Sequence, residues 1–325
     1  MKLVVLDSYA LQEGDLDWSG LAALAGPVTT WPRTPYEQAA ARIGDAELVV
    51  VNKTWIDDAV LTACPNVKWV GLTATGTDSL DLAACTRHGV PVANVPGYST
   101  ESVAQMVFSL LLSVCQCPER YWQAIQGGCW QTDIRPEYGI TPQRELFGKT
   151  IGIVGYGSIG RAVARMAKGF GMQVLVHTRT VRPQYAADGV QFVPLGDLLA
   201  QSDIVSLHCP ATPETRGLIG PAALAQMKQG AILVNTARGA LVDDNAVAAS
   251  LQAGHLGFFA ADVVGAEPIV PDSPLLACPR VLLTPHVAWA TQEALSRLAA
   301  AVTENLQSFL CGAPQNIVNP PVRPF

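Results

Sequence analysis

The stretch Thr150-Ile151-Gly152-Ile153-Val154-Gly155-Tyr156-Gly157-Ser158-Ile159-Gly160 decides the fold. A short apolar run, read as a buried parallel strand, breaks into G-x-G-x-x-G and passes directly into a helical pattern. Each glycine has its own physical task. Gly155 permits the tight turn, Gly157 lets the backbone approach a pyrophosphate, and Gly160 lets the new helix pack closely on the strand. The N–H groups and positive dipole end at Ser158 and Ile159 suit a phosphate. Such turns are common between strands and helices, so position counts as much as pattern. About 150 residues precede this one, which embeds the nucleotide domain within the chain.

On the N-terminal side, short apolar runs alternate with helical stretches. Strands are expected at Lys2–Leu6, Glu47–Val51, Trp69–Thr73 and Val90–Asn94, each followed by a helical or turn segment, the βαβ signature of a parallel sheet. From Thr100 to Cys117, Val103, Met106, Val107, Leu110 and Leu111 fall at helical spacing. Residues 118–145 contain Trp122, Trp130, Pro136 and Pro142 with little periodicity and read as an extended arm or loop. Past the glycine turn a second α/β series follows, with strands expected at Thr150–Val154, Gln173–His177, Gln191–Val193, Ile204–His208, Ile232–Asn235, Gly257–Val263 and Arg280–Leu283. A helix at Gln292–Leu310 leads into a Pro/Asn-rich tail. The fold class is α/β, with two doubly wound parallel-sheet domains: a flavodoxin-like substrate domain (1–98 plus 287–325) and an inserted Rossmann cofactor domain (99–286).

Composition fits a packed enzyme. At 325 residues, 49% hydrophobic and 15% charged, the chain has apolar material for two cores. A net charge of −6 gives no electrostatic reason for nucleic acid or anionic membrane as partner. The apolar start, Met1 to Leu6, meets Asp7 too soon for a signal peptide and reads as a strand. No run reaches the ~20 apolar residues of a membrane span. The eight cysteines show no zinc spacing, so no metal is expected, and they suit a reducing cytoplasm.

Three residues carry the chemistry. Arg238, Glu267 and His286 each lie just past an expected strand, at the sheet edge where open parallel sheets bind ligands. Arginine clamps a carboxylate through two parallel hydrogen bonds. Histidine gives or takes the proton of an alcohol near neutral pH. A carboxylate beside it stabilises imidazolium and fixes the ring. With a nicotinamide, this set suits hydride transfer to a carbonyl carbon next to a carboxylate.

The motifs Ala74-Thr75-Gly76, Asn94-Val95-Pro96-Gly97-Tyr98-Ser99-Thr100, the glycine turn, Ser206-Leu207-His208-Cys209-Pro210, Asn235-Thr236-Ala237-Arg238-Gly239, Asp262 through Pro268 and Thr284-Pro285-His286 carry a resemblance. Over nearly its whole length the chain resembles the D-isomer-specific 2-hydroxyacid dehydrogenases, most of all the bacterial glycerate dehydrogenases (hydroxypyruvate and glyoxylate reductases). The resemblance implies that Arg238 binds the substrate carboxylate and polarises the keto group, that His286 is the acid/base, and that Glu267 pairs with it. It further implies substrate contacts from Thr75 and Gly76, and cofactor contacts from Cys209, Pro210, Thr215, Thr236, Ala237 and Asp262. Lys53, within Val51-Asn52-Lys53-Thr54, is either a substrate contact or a solvated loop lysine. Glu267 stands where formate dehydrogenases of the superfamily carry glutamine, which favours a keto/hydroxy couple. The chain stops at Phe325, short of the regulatory domain that phosphoglycerate dehydrogenases often add.

The cofactor fingerprint departs from pattern at one point. An acid is expected about 20 residues past the glycine turn, to bind ribose hydroxyls. Thr178 stands there, followed by Arg179 and, nearby, Arg182. An acid repels a 2′-phosphate, whereas threonine and arginine bind one, so NADP is favoured over NAD. The sequence therefore reads as a reductase of hydroxypyruvate or glyoxylate, working as a homodimer, with domain closure about the crossovers excluding water. The alternatives are a dehydrogenase for a bulkier 2-keto acid or phosphite, and a non-catalytic dinucleotide-sensing scaffold.

Overall fold

The computed structural model describes residues 1–8, 17–132 and 143–319. The chain divides into two compact units, Met1–Ser99 with Trp289–Phe325, and Thr100–Ala288.

In the first unit, β1 (Leu3–Val5), β2 (Val28–Thr30), β3 (Leu48–Val51), β4 (Trp69–Leu72) and β5 (Val92–Ala93) form one parallel sheet in the order β2-β1-β3-β4-β5. Buried strands need no polar face, and β3 is apolar at every position, with all four residues buried. Alternate residues still serve opposite cores. Val4 joins the cluster with Val49 and Val70, while Leu3 and Val5 pack with Leu295, Leu298 and Val302 of the helix Gln292–Leu310. Thr291 caps that helix by accepting from the Ala294 N–H. The tail beyond it is tied to β5, because Asn319 accepts from the Val92 N–H and donates to Val90 O.

In the second unit, β6 (Thr150–Val154), β7 (Gln173–His177), β8 (Gln191–Phe192), β9 (Ile204–Leu207), β10 (Ile232–Asn235), β11 (Phe258–Ala261) and β12 (Val281–Leu283) form a parallel sheet ordered β12-β11-β10-β9-β6-β7-β8. This is the Rossmann order with a seventh strand added at one edge. Ile151 and Ile153 pack with the helices Thr100–Gln116 and Ser158–Gly169 on one face; Val154 and Leu175 pack with the helices Leu195–Gln201 and Asp244–Gln252 on the other.

Three differences from the sequence reading have local causes. Residues 118–132 are helical, as Pro118–Gln126 and Cys129–Thr132, with proline in the first turn where its missing N–H costs nothing. The rest of the expected arm, residues 133–142, lies outside the described residues. The edge strand β2 has three half-buried or exposed residues, too few to leave a pattern. The second unit also keeps Val287 and Ala288, because the Asp262 carboxylate accepts from both of their N–H groups.

Candidate active site

β6 ends at Val154, and Gly155 follows with φ +96°. A Cβ there would lie 2.6 Å from Cys209 N and His208 C, so only glycine lets the turn rest on the chain leaving β9. The turn thus occupies the point between β6 and β9 where the strand order reverses, the ligand crevice of an open α/β sheet. At Gly157 an added Cβ would meet nothing within 4 Å, so the space above the turn is open. At Gly160 it would collide with Gly155 O, which is how closely the helix Ser158–Gly169 approaches the strand. No side chain caps that helix, which leaves its first N–H groups, at Ser158 and Ile159, for a ligand. At the end of β10, Thr236 Oγ1 is buried without a protein partner among the described residues. The open space and the uncapped helix fit the diphosphate of a dinucleotide, and the orphan hydroxyl lies two strands along the same sheet edge.

At the far side of the turn, β7 ends at His177. Thr178 is half-buried, while Arg179 and Arg182 are exposed. On the β9 side, the Thr215 hydroxyl accepts from Thr212 N and donates to Pro210 O, both at 2.7 Å, which folds residues 209–215 into a tight loop. Burial pushes the Cys209 thiol up, so it is protonated at neutral pH. In the same loop the Thr212 hydroxyl holds the Glu214 carboxyl below its usual range, and the Arg179 charge adds to the effect. His208 Nε2 shares a hydrogen bond with the buried Ser206 hydroxyl (2.8 Å), and desolvation lowers its pKa to about 3. This ring is neutral and serves as wall.

Arg238 is held by its own loop. The fully buried Asn235 side chain accepts from Ala237 N (3.1 Å) and donates to Arg238 O (2.9 Å), clamping both ends of the turn. Arg238 Nη1 donates to Ala237 O at 2.8 Å. A Cβ on Gly239 would overlap Val264 O, so this loop abuts the Val264–Glu267 loop after β11. Asp244 fixes the second loop by accepting from Gly265 N at 3.0 Å, with its carboxyl pushed up by burial.

His286 Nδ1 and Glu267 Oε2 lie 2.6 Å apart, and both side chains are partly exposed (28% and 35%). With the carboxylate accepting from Nδ1–H, Nε2 is the ring's second proton-exchanging atom. The His286 backbone is left-handed, φ +57°, a strained state for a non-glycine residue. Asp262 holds it there. Its carbonyl accepts from His286 N (2.8 Å), and its carboxylate accepts from the Thr284 hydroxyl, Val287 N and Ala288 N. Asp262 is buried, which pushes its carboxyl up against the pull of those bonds.

In the first unit, the Thr75 hydroxyl donates to Val95 O (2.7 Å) and Asn94 Nδ2 donates to Thr75 O (2.8 Å), bracing the loop after β4. Among the described residues the N–H groups of Thr75 and Gly76 have no protein acceptor. The Lys53 backbone is pinned, its N–H donating to Asp7 Oδ2, while its side chain is exposed.

The structure thus joins His286 to Glu267 directly and sets the Arg238 loop against theirs. Sequence reasoning missed Asn235, Gly239 and Asp244. Asn235, a polar residue ending an otherwise apolar strand, was the signal for the first of these.

A Rossmann sheet, an open glycine turn at its switch point and a carboxylate-paired histidine on a neighbouring loop define a dinucleotide-dependent oxidoreductase. Residues 108–288 match the family model of the D-isomer specific 2-hydroxyacid dehydrogenase NAD binding domain. The chain belongs to that family and uses a nicotinamide dinucleotide. It is 40% identical over 322 residues to a hydroxypyruvate reductase of Blautia hydrogenotrophica, covering 98% of this chain and all of the relative. It is 37% identical over 294 residues to a glycerate dehydrogenase of Methylorubrum extorquens, covering 89% and 90%. A solved glyoxylate reductase from Paecilomyes thermophila superposes with a TM-score of 0.83 at 29% identity, covering 98% and 97%.

Proposed function

We propose that this dehydrogenase reduces hydroxypyruvate or glyoxylate to D-glycerate or glycolate, with NADPH preferred to NADH. The observation that carries the reading is the His286–Glu267 pair, an imidazole oriented at Nδ1 by a carboxylate. The bound nicotinamide supplies the hydride that reduces the carbonyl carbon. His286 gives its Nε2 proton to the carbonyl oxygen, and Glu267 offsets the ring's positive charge until then. Arg238 holds the substrate carboxylate and stabilises charge developing on the oxygen. The family resemblance assigns further substrate contacts to the N–H groups of Thr75 and Gly76 and to Lys53. Ser158, Ile159, Thr236, Ala237, Cys209 and Pro210 would line the dinucleotide. Thr178 and Arg179 would take its 2′-phosphate, which an acid at residue 178 would repel.

The protein acts as a homodimer in a reducing, cytoplasmic compartment. Exposed Trp122, Trp130 and Phe147 on the second unit support association, and its eight unpaired cysteines suit the compartment. Sedimentation at monomer mass would refute the dimer.

The test is a panel of 2-keto acids (hydroxypyruvate, glyoxylate, pyruvate, phenylpyruvate), each with NADH and NADPH. The two small acids should give the highest kcat/KM, and His286→Ala should lower kcat about 1000-fold. Reduction consumes a proton and the reverse oxidation releases one, so rising pH should disfavour the first and favour the second. An unchanged rate in His286→Ala removes the assignment. Arg179→Ala should raise the KM for NADPH far more than that for NADH.

A further inference from the structure

Between the two glycines of the turn sits a buried aromatic residue that phosphate binding does not require. Tyr156 is 4% exposed, and its Oη donates to Asp188 Oδ2 at 3.0 Å. Arg161 Nε approaches the same oxygen at 3.4 Å, so the carboxylate has a cation as well as a phenol. The Tyr156 ring meets Tyr185 edge-on at 5.1 Å and Phe192 edge-on at 5.6 Å. The Arg161 guanidinium lies over the Tyr185 ring, 5.5 Å from its centre. Burial and the bond to Asp188 push the phenol up, which keeps it a proton donor at every working pH.

These partners have a common address. Tyr185 and Asp188 belong to the short 3-10 segment Pro183–Asp188, and Phe192 belongs to β8. The segment begins where the loop Thr178–Arg182 ends, and that loop begins where β7 leaves the sheet beside β6. One end of the loop is therefore fixed by strand pairing and the other by side chains rooted in the glycine turn. A loop closed at both ends has few conformations to lose on binding.

We propose that Tyr156 and Asp188 are positioning residues for cofactor choice: their hydrogen bond sets the Thr178–Arg182 loop so that Arg179 meets the 2′-phosphate of the dinucleotide. The proposal rests on the reading of Arg179 given above. The 2′-phosphate is the only group that distinguishes NADPH from NADH. Loosening the loop therefore weakens NADPH and leaves NADH, whose diphosphate is held by the turn itself. A merely structural role for Tyr156 would weaken both.

The experiment measures Kd for NADPH and NADH by nicotinamide fluorescence on the full-length protein, with melting curves to confirm folding. Tyr156→Phe keeps the ring packing and removes only the hydroxyl. It should raise the NADPH Kd about fivefold, the worth of one hydrogen bond, and leave the NADH Kd unchanged. Asp188→Ala should match it, while Asp188→Asn, which keeps an acceptor for the phenol, should recover much of the loss. In an Arg179→Ala background, Tyr156→Phe should add nothing. Equal weakening of both dinucleotides by Tyr156→Phe, or a selective loss that persists without Arg179, overturns the proposal and leaves Arg179 as reader of the phosphate. If Arg179→Ala itself fails to discriminate, the reading of Arg179 falls and the proposal with it.

Discussion

The two sheets solve the same problem in opposite ways. Each reverses strand order beside its first strand, between β1 and β3 in one unit and between β6 and β9 in the other. Each therefore points backbone N–H groups into a crevice at the carboxyl ends of its strands. In the first unit the chain fills that crevice itself. Asp7, two residues past β1, accepts from the N–H groups of Asn52, Lys53 and Thr54 and from the Thr54 hydroxyl. In the second unit the matching place is held by Gly155 and Gly157, and among the described residues no side chain caps the helix or comes within 4 Å of a Cβ added at Gly157. One carboxylate makes a self-satisfied loop; two glycines make a loop whose N–H groups suit an anion. A shared topology provides the crevice, and the residues at a strand end decide whether it binds anything.

The strongest way to break the comparison is to put side chains where the glycines stand. Gly155→Ala meets both a left-handed backbone and the chain after β9, and should cost about 4 kcal/mol or prevent folding. Gly157→Ala should do neither, because φ there is −81° and the added methyl meets nothing. It should leave the melting temperature alone and weaken the dinucleotide about tenfold or more. A melting temperature lowered by Gly157→Ala would show that the glycine serves the fold and not the ligand.

Emptying the filled crevice is the converse. Asp7→Ala strands three buried or part-buried backbone donors, while the Thr54 hydroxyl keeps Thr34 O as acceptor, and should cost about 3 kcal/mol by denaturant titration. Dinucleotide affinity should not change. Loss of affinity without loss of stability would mean that Asp7 serves the site.

How much of this was legible in the sequence follows from how each feature is encoded. The glycine turn and the order of strands are local patterns, so β6, β7, β10 and the helix Gln292–Leu310 lie where the apolar spacing put them. Arg238, Glu267 and His286 were legible because their residue types sit just past apolar runs. What holds them was not, since Asn235, Gly239 and Asp244 act by contacts between loops that sequence spacing does not report. Asp262 has a role beyond the cofactor contact expected of it: its carboxylate accepts from Thr284, Val287 and Ala288, and so it braces the His286 loop. Tyr156 looked like the indifferent x of G-x-G, because its partner Asp188 lies beyond a whole strand.

Acid should act on the wall of the open crevice. Burial lowers the His208 pKa from 6.5 to about 3 in the folded protein, so between those pH values the unfolded chain binds a proton that the folded one does not. The contribution of His208 to stability is therefore present above pH 6.5 and is lost as pH falls toward 3. Substituting His208→Gln should flatten that part of the stability–pH curve. An acid slope that survives in His208→Gln would place the sensitive group elsewhere.

The smallest effect tests how finely the open crevice is tuned. Glu214, on the loop after β9, is ionised and near enough to Arg179 for each charge to act on the other. Both groups are exposed, so the coupling passes through water and is screened by salt. A carboxylate beside the cation lowers the positive potential offered to a 2′-phosphate, and its removal raises it. Glu214→Gln should therefore tighten NADPH about twofold at low ionic strength, leave NADH unaffected, and lose its effect at about 1 M salt. Tightening of both dinucleotides would place Glu214 by the diphosphate instead. No change at any salt would leave Arg179 to act alone, and cofactor choice would then depend on the Thr178–Arg182 loop without help from the other side of the turn.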